Sequence, residues 1–173
     1  LAHGLDFIIK SSKKINSDKI HFLFVGDGSE KNSLIRLADK YNISNISFVD
    51  SVSENKIIEY ISLSDISLIN LKKNDTFKSV IPSKMFNVAS MQKPILLGVD
   101  GEARSILEKY SAGVFFEPEN EKMFIKKLLD LKNNIELYNH SIQGCNKMAT
   151  DYDFKDLASK MLSIIKANTG NRT

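Results

Sequence analysis

The chain has 173 residues, a length that fits one globular domain, and 42% of them are apolar against 26% charged, so a packed core is expected. A net charge of +3 is mildly basic and gives no argument for a nucleic-acid partner. The single cysteine, Cys145, excludes an internal disulfide framework and fits a reducing compartment, and no apolar run approaches the roughly 18 residues of a membrane span.

No signal peptide is visible. The chain opens on a helical stripe, Leu5, Ile8 and Ile9, directly after Leu1, and so reads as a fragment cut from something longer. "IHFLFV" (residues 20–25) is a continuous apolar run, the mark of a strand covered on both faces. "GDG" follows, then Leu34, Leu37, Ala38 and Tyr41 at helical spacing. "ISFV" (residues 46–49) predicts a second strand, and Ser53 an N-cap for a helix carrying Ile57, Ile58 and Ile61. "DISLINL" (residues 65–71) predicts a third strand, "PILLGV" (94–99) a fourth and "GVFFE" (113–117) a fifth, with a helix bearing Ile106, Leu107 and Tyr110 before the last. Three helices close the chain. The final one carries Phe154, Leu157, Ala158, Met161, Leu162 and Ile165, a stripe suited to core or inter-domain packing, and residues 169–173 are expected to fray.

Strand alternating with helix implies an α/β, Rossmann-like parallel sheet flanked by helices, here over residues 1–168. Ligands in such sheets lie beyond the C-terminal strand ends, where "GDGSE" (26–30), residues 72–84 and "GVDGEA" (98–103) are expected. Residues 72–84 hold Lys72, Lys73, Lys78 and Lys84 against one Asp75, a positive patch. They run into a helix with Pro82 placed near its first position. Free amides at that helix start, the Ser83 hydroxyl and the Lys84 charge make a chemically adequate cradle for a phosphate or diphosphate, the alternative being a capped helix with a solvated lysine. Asn87 stands four residues after Ser83 and three after Lys84, on the same helical face, where its amide can reach ribose hydroxyls. Burial against a loop carbonyl is the equal alternative for Asn87. Gly26 and Gly28 read first as a tight strand-to-helix turn and second as room for a nucleotide. Gly101 and Glu102 read first as a helix start with a dipole-favoured acid.

"DYD" (151–153) is not taken as a metal motif: it precedes the last helix, where Asp153 reads as an N-cap. His3, His21 and His140 show no metal-ligand spacing with Cys145 or one another, so no metal is expected. No catalytic residue is assigned.

"IPSKMFNVASMQKPIL" resembles the "PSK-x-FEY-x-A-x-GKPI" stretch of retaining GT-B glycosyltransferases of the bacterial polysaccharide-building type (glycosyltransferase group 1). "FLFVGDGSEKNSLIRLA" is similar to that family's "F-x-x-VGDG" strand and helix, and "ISFVDSVSENKIIEYISLSDISLI", "GE" and "AGVFFEPEN" follow in family order. The resemblance implies the C-terminal, nucleotide-sugar-binding half of a two-domain enzyme, whose N-terminal acceptor half and first strand precede Leu1. It implies a sugar nucleotide as donor, with a UDP-sugar favoured, a glycan or lipid-linked acceptor, no cofactor and no nucleic acid. The expected location is the cytoplasm, peripheral to the inner face of the membrane through the missing half. The implied nucleotide- and diphosphate-binding set is Lys78, Ser79, Ser83, Lys84 and Asn87, with Gly26 and Gly28. Many relatives carry a Glu-x7-Glu pair; aligned on "FEY", its second position is Asn87 and Ser79 stands eight residues earlier, so both carboxylates are absent. The usual "GKP" is "QKP" at Gln92, and the usual basic residue near the first helix corresponds roughly to His3. The alternatives are a non-catalytic nucleotide-sugar-binding module and a GT-B-fold nucleotide-sugar epimerase. The latter calls for acid/base residues at the ligand edge, of which this sequence offers few.

Overall fold

The computed structural model describes residues 2–15 and 19–169. Five short strands alternate with helices: α1 (Leu5–Ser12), β1 (Phe22–Val25), α2 (Lys31–Lys40), β2 (Ile46–Val49), α3 (Glu54–Leu63), β3 (Ser67–Asn70), α4 (Lys84–Ser90), β4 (Ile95–Gly98), α5 (Glu102–Tyr110) and β5 (Gly113–Phe115). Then come α6 (Glu121–Asn133), α7 (Ile135–Asp151) and α8 (Phe154–Thr169). Every strand pair is parallel, as the alternation requires. β2 coincides with its apolar run, and the other four strands are shorter than theirs because the ends of those runs pass into loops.

The strands form two sheets, with orders β1-β2 and β3-β4-β5. The central strand β4 is buried along its whole length, with Ile95, Leu96 and Leu97 at 0–1% exposure. On one face of it, Met85, Val88 and Ala89 of α4 pack with Ala103 and Leu107 of α5 and Cys145 and Met148 of α7. On the other, Ile8 of α1 meets Phe116 and Phe124, whose rings lie 5.1 Å apart edge to face. A third cluster joins Ile9 to Leu34 and Ala38 of α2 under the stacked Phe24 and Phe48.

Three expectations need correcting. β1 is not covered on both faces: Leu23 is 42% exposed, since α1 and α2 cover only one side of β1-β2. α3 buries none of its residues, and Ile58 of its Ile57, Ile58 and Ile61 stripe is 51% exposed. The α8 stripe also stays out of the core: Leu157, Ala158, Met161, Leu162 and Ile165 are all exposed. Thr169, assigned to the tail, is the last residue of α8, and residues 170–173 and the Phe154 side chain lie outside what the structure describes.

Three helices end in the same way. α4 closes with Gln92 N–H on Ala89 O and Lys93 N–H on Val88 O, and Gln92 turns left-handed at φ 58°. Asn42 (φ 51°) and Ser111 (φ 55°) do the same after α2 and α5. None of the three is glycine.

Candidate functional site

The loop after β3 carries most of the sequence-predicted site. Its first half is a 3-10 turn, Asp75–Ser79, capped by the Asn74 side chain, which accepts from Thr76 N–H. Lys78 pairs with Asp75 at 2.7 Å, and the Ser79 hydroxyl donates to Thr76 O at 3.3 Å, so both are engaged within the turn. Lys73 reaches across to Glu117 beyond β5 at 2.7 Å, and its N–H donates to Glu119. The hydrogen bond from Lys73 holds the Glu117 carboxyl below the usual carboxylate range. The patch is therefore less positive than the lysine count suggests. The neutralising Glu117 lies 44 residues away in sequence, where no local reading finds it.

The second half differs. α4 begins at Lys84 with Ser83 as its N-cap, so Pro82 precedes the cap instead of opening the helix. Its φ constraint, about −65°, sets the chain direction into the cap and not within the first turn. Met85 and Phe86 N–H are taken by Pro82 O and Ser83 O, which leaves only the Ser83 and Lys84 amides without a backbone partner among the described residues. The buried side of α4 (Met85, Val88, Ala89) faces α7, and Phe86 stacks on Tyr152 with ring centres 4.5 Å apart. That packing turns Ser83, Lys84 and Asn87 outward together, all three exposed. The buried-amide reading of Asn87 is thereby overturned, and Lys84 makes no ion pair among the described residues.

The other ligand-edge segments meet this loop or its neighbours. Gly101 (φ 84°, ψ −133°) precedes α5, and any side chain there would collide with the Lys78 carbonyl, so the 3-10 turn rests directly on the start of α5. Glu102 stands exposed in that first turn. Gly26 and Gly28 line a different junction. Gly26 N–H extends the β1-β2 ladder to Val49 O, and the Asp27 carboxylate accepts from Lys31 at 2.8 Å and from Ser51 N–H at 2.8 Å. Lys31 also pairs with Asp50. These bonds tie the "GDG" turn to the exit of β2, and open space surrounds the Cα of both glycines.

One residue of this edge escaped the sequence reading. Asn70, at the end of β3, is buried, donates through Nδ2 to His3 O at 2.8 Å and lies against Gly98. A lone amide inside "SLIN" was the available signal. The His3 side chain is exposed beside it. Asp151 of "DYD" accepts from the Tyr110 hydroxyl at 2.6 Å, and Asp153 O accepts from Leu157 N–H, as at the N-cap of α8.

The family "Glycosyl transferases group 1" matches residues 2–148. The fold is similar to that of a glycosyltransferase from Rickettsia africae ESF-5 (TM-score 0.81, 18% identity, covering 99% of this chain and 46% of that one). It is similar to Anabaena Alr3699/HepE, solved in complex with UDP (TM-score 0.79, 10% identity, 95% and 45%). It also resembles the C-terminal domain of the group 1 protein LpcC from Francisella tularensis (TM-score 0.70, 15% identity, 87% and 80%). No curated protein matches. The chain spans just under half the length of the first two. It belongs to the glycosyl transferases group 1 family and folds as one Rossmann-like half of a GT-B glycosyltransferase.

Proposed function

We propose that this chain is the donor-binding half of a retaining glycosyltransferase that moves a sugar from a nucleoside diphosphate sugar to a glycan or lipid-linked acceptor in bacterial surface polysaccharide synthesis. The observation that carries the proposal is the single exposed face formed by Ser83, Lys84 and Asn87 at the start of α4. Lys84 supplies an uncompensated positive charge there, Ser83 a hydroxyl, and the two free amides further donors, all suited to a diphosphate. Asn87, one turn on, is placed for the ribose. Catalysis by this half is electrostatic: charge growing on the departing diphosphate is met by groups already in position. Lys78 and Ser79 shape the loop and contribute to the ligand only by leaving Asp75 and Thr76. Gly26 and Gly28 contribute open backbone. A UDP-sugar is the favoured donor, in keeping with the Anabaena relative solved with UDP. The acceptor site belongs to an N-terminal half outside this chain, which would also bring the protein to the inner face of the membrane from the cytoplasm.

The test is an assay of the longer protein with a panel of UDP-sugars and lipid-linked or glycan acceptors, reading UDP release. The proposal expects release that depends on acceptor. Binding without turnover for every acceptor would favour a non-catalytic module, and an epimerised sugar nucleotide would make the protein an epimerase.

A further inference from the structure

Just ahead of the cradle the chain exposes two branched aliphatic side chains next to each other, Val80 at 37% and Ile81 at 43%. They fill the stretch between the 3-10 turn and the Ser83 cap. We propose that Val80 and Ile81 are the donor-sugar contact of this half, and that the sugar they select carries a methyl group, either as a 6-deoxy carbon or as the acetyl of an N-acetylated amine. The inference deepens the functional reading above and rests on its assignment of Ser83, Lys84 and Asn87 to the nucleotide.

The order of groups along the donor sets the place. In a nucleoside diphosphate sugar the diphosphate joins the nucleoside on one side to the sugar on the other. With the diphosphate at the Ser83 and Lys84 amides and the ribose at Asn87, one turn further along α4, the sugar falls on the side from which the chain enters the cap. That side is residues 79–82. Two residues of chain span at most about 7 Å, so Ile81 cannot stand far from a sugar attached at Ser83.

The chemistry free on that side is apolar. Lys78 holds Asp75, the Ser79 hydroxyl donates to Thr76 O, and Val80 N–H donates to Phe77 O at 3.1 Å. Pro82 has no N–H to offer. Phe77, the remaining apolar side chain of the turn, packs against the cluster around Met85, whereas Val80 and Ile81 stay outside it. A ring hydroxyl laid on this pair loses water and gains no partner, which is a cost. A methyl group laid there gains from burial. Both side chains are β-branched and stiff at χ1, so little freedom is lost when a sugar covers them.

Calorimetric titration of the full-length protein with UDP, UDP-glucose, UDP-6-deoxyglucose and UDP-N-acetylglucosamine tests the inference, alongside a Val80→Thr, Ile81→Thr double variant. At least one of the two methyl-bearing donors is expected to bind about tenfold tighter than UDP-glucose, and which one leads tells where on the ring the methyl sits. In the double variant that gap is expected to close to within about twofold, while UDP, which carries no sugar, binds both proteins alike. Should the variant unfold, the ranking in the unaltered protein decides. Methyl-bearing donors that bind no tighter than UDP-glucose overturn the inference, and so does a preference that survives the double variant. UDP that binds without any such preference overturns the sugar contact alone. UDP that does not bind overturns the nucleotide assignment and the sugar contact with it.

Discussion

The side chain that Gly101 lacks would collide with the carbonyl oxygen of Lys78, and this close approach joins the basic loop to the start of α5. The Gly101 backbone (φ 84°, ψ −133°) is one that other residues rarely adopt. Gly101→Ala is therefore expected to cost about 1–3 kcal/mol of stability and to push the 3-10 turn off α5. A thermal melt paired with a UDP titration checks it: the melting temperature falls and UDP binding weakens. An unchanged melt would mean that the loop yields freely.

Gln92 offers the opposite sign. It ends α4 in a left-handed conformation, φ 58°, that glycine adopts without a Cβ penalty. Gln92→Gly removes the Cβ penalty while adding chain entropy to the unfolded state, and the first effect is the larger. A gain of about 0.5–1 kcal/mol is expected in denaturant unfolding, with nucleotide affinity unchanged.

The Asp27–Lys31 clasp sets a pH window. The hydrogen bond from Lys31, then that from Ser51 N–H, holds the Asp27 carboxyl below its ordinary 3.8. A depressed acid contributes stability above that value and loses it as pH falls through the lower, folded value. Lys31 is raised above 10.5 by Asp27 and then Asp50, so its contribution is present below 10.5 and is lost as pH rises past the folded value. The Ser51 amide resonance is expected to hold steady at neutral pH and to shift only below 3.8. In Lys31→Met the shift should begin at higher pH.

Cys145 is expected to be inert. Its thiol is buried, lies 3.3 Å from both Lys93 O and Ala112 O, which share its one S–H, and is pushed by burial up to about 12. Alkylating reagents, which need thiolate, should label it at neutral pH only on unfolding. Because the unfolded thiol ionises first, stability should decline from about 9.0 toward about 12 as pH rises, and Cys145→Ala should flatten that decline.

Most of the architecture was legible from the sequence because apolar runs such as residues 95–98 leave a sheet strand few alternatives, and the helical stripe of Leu34 and Ala38 is local. That Ser83, Lys84 and Asn87 share one side of α4 was legible for the same reason: they lie within one turn and a half. What failed depended on distant partners. Glu117 cancels Lys73 from the far side of β5, and the exposure of Leu23 and α3 depends on which helices cover which side of the sheet, which no local stripe announces. Gly101 was read as a helix start, since the collision that demands a glycine is with a backbone carbonyl 23 positions earlier.

The most direct measurement is calorimetric titration of the full-length protein and its Lys84→Ala and Asn87→Glu variants with UDP and 2′-deoxy-UDP. Lys84→Ala is expected to lose about 1.5–3 kcal/mol of UDP binding at low salt, a loss that shrinks as salt rises because the lysine is exposed. Asn87→Glu puts a carboxylate on an open face, so the fold should tolerate it, and it is expected to tighten UDP while leaving the deoxy nucleotide unchanged. UDP affinity unaltered by Lys84→Ala and indifferent to Asn87→Glu would contradict the assignment of this face to the nucleotide.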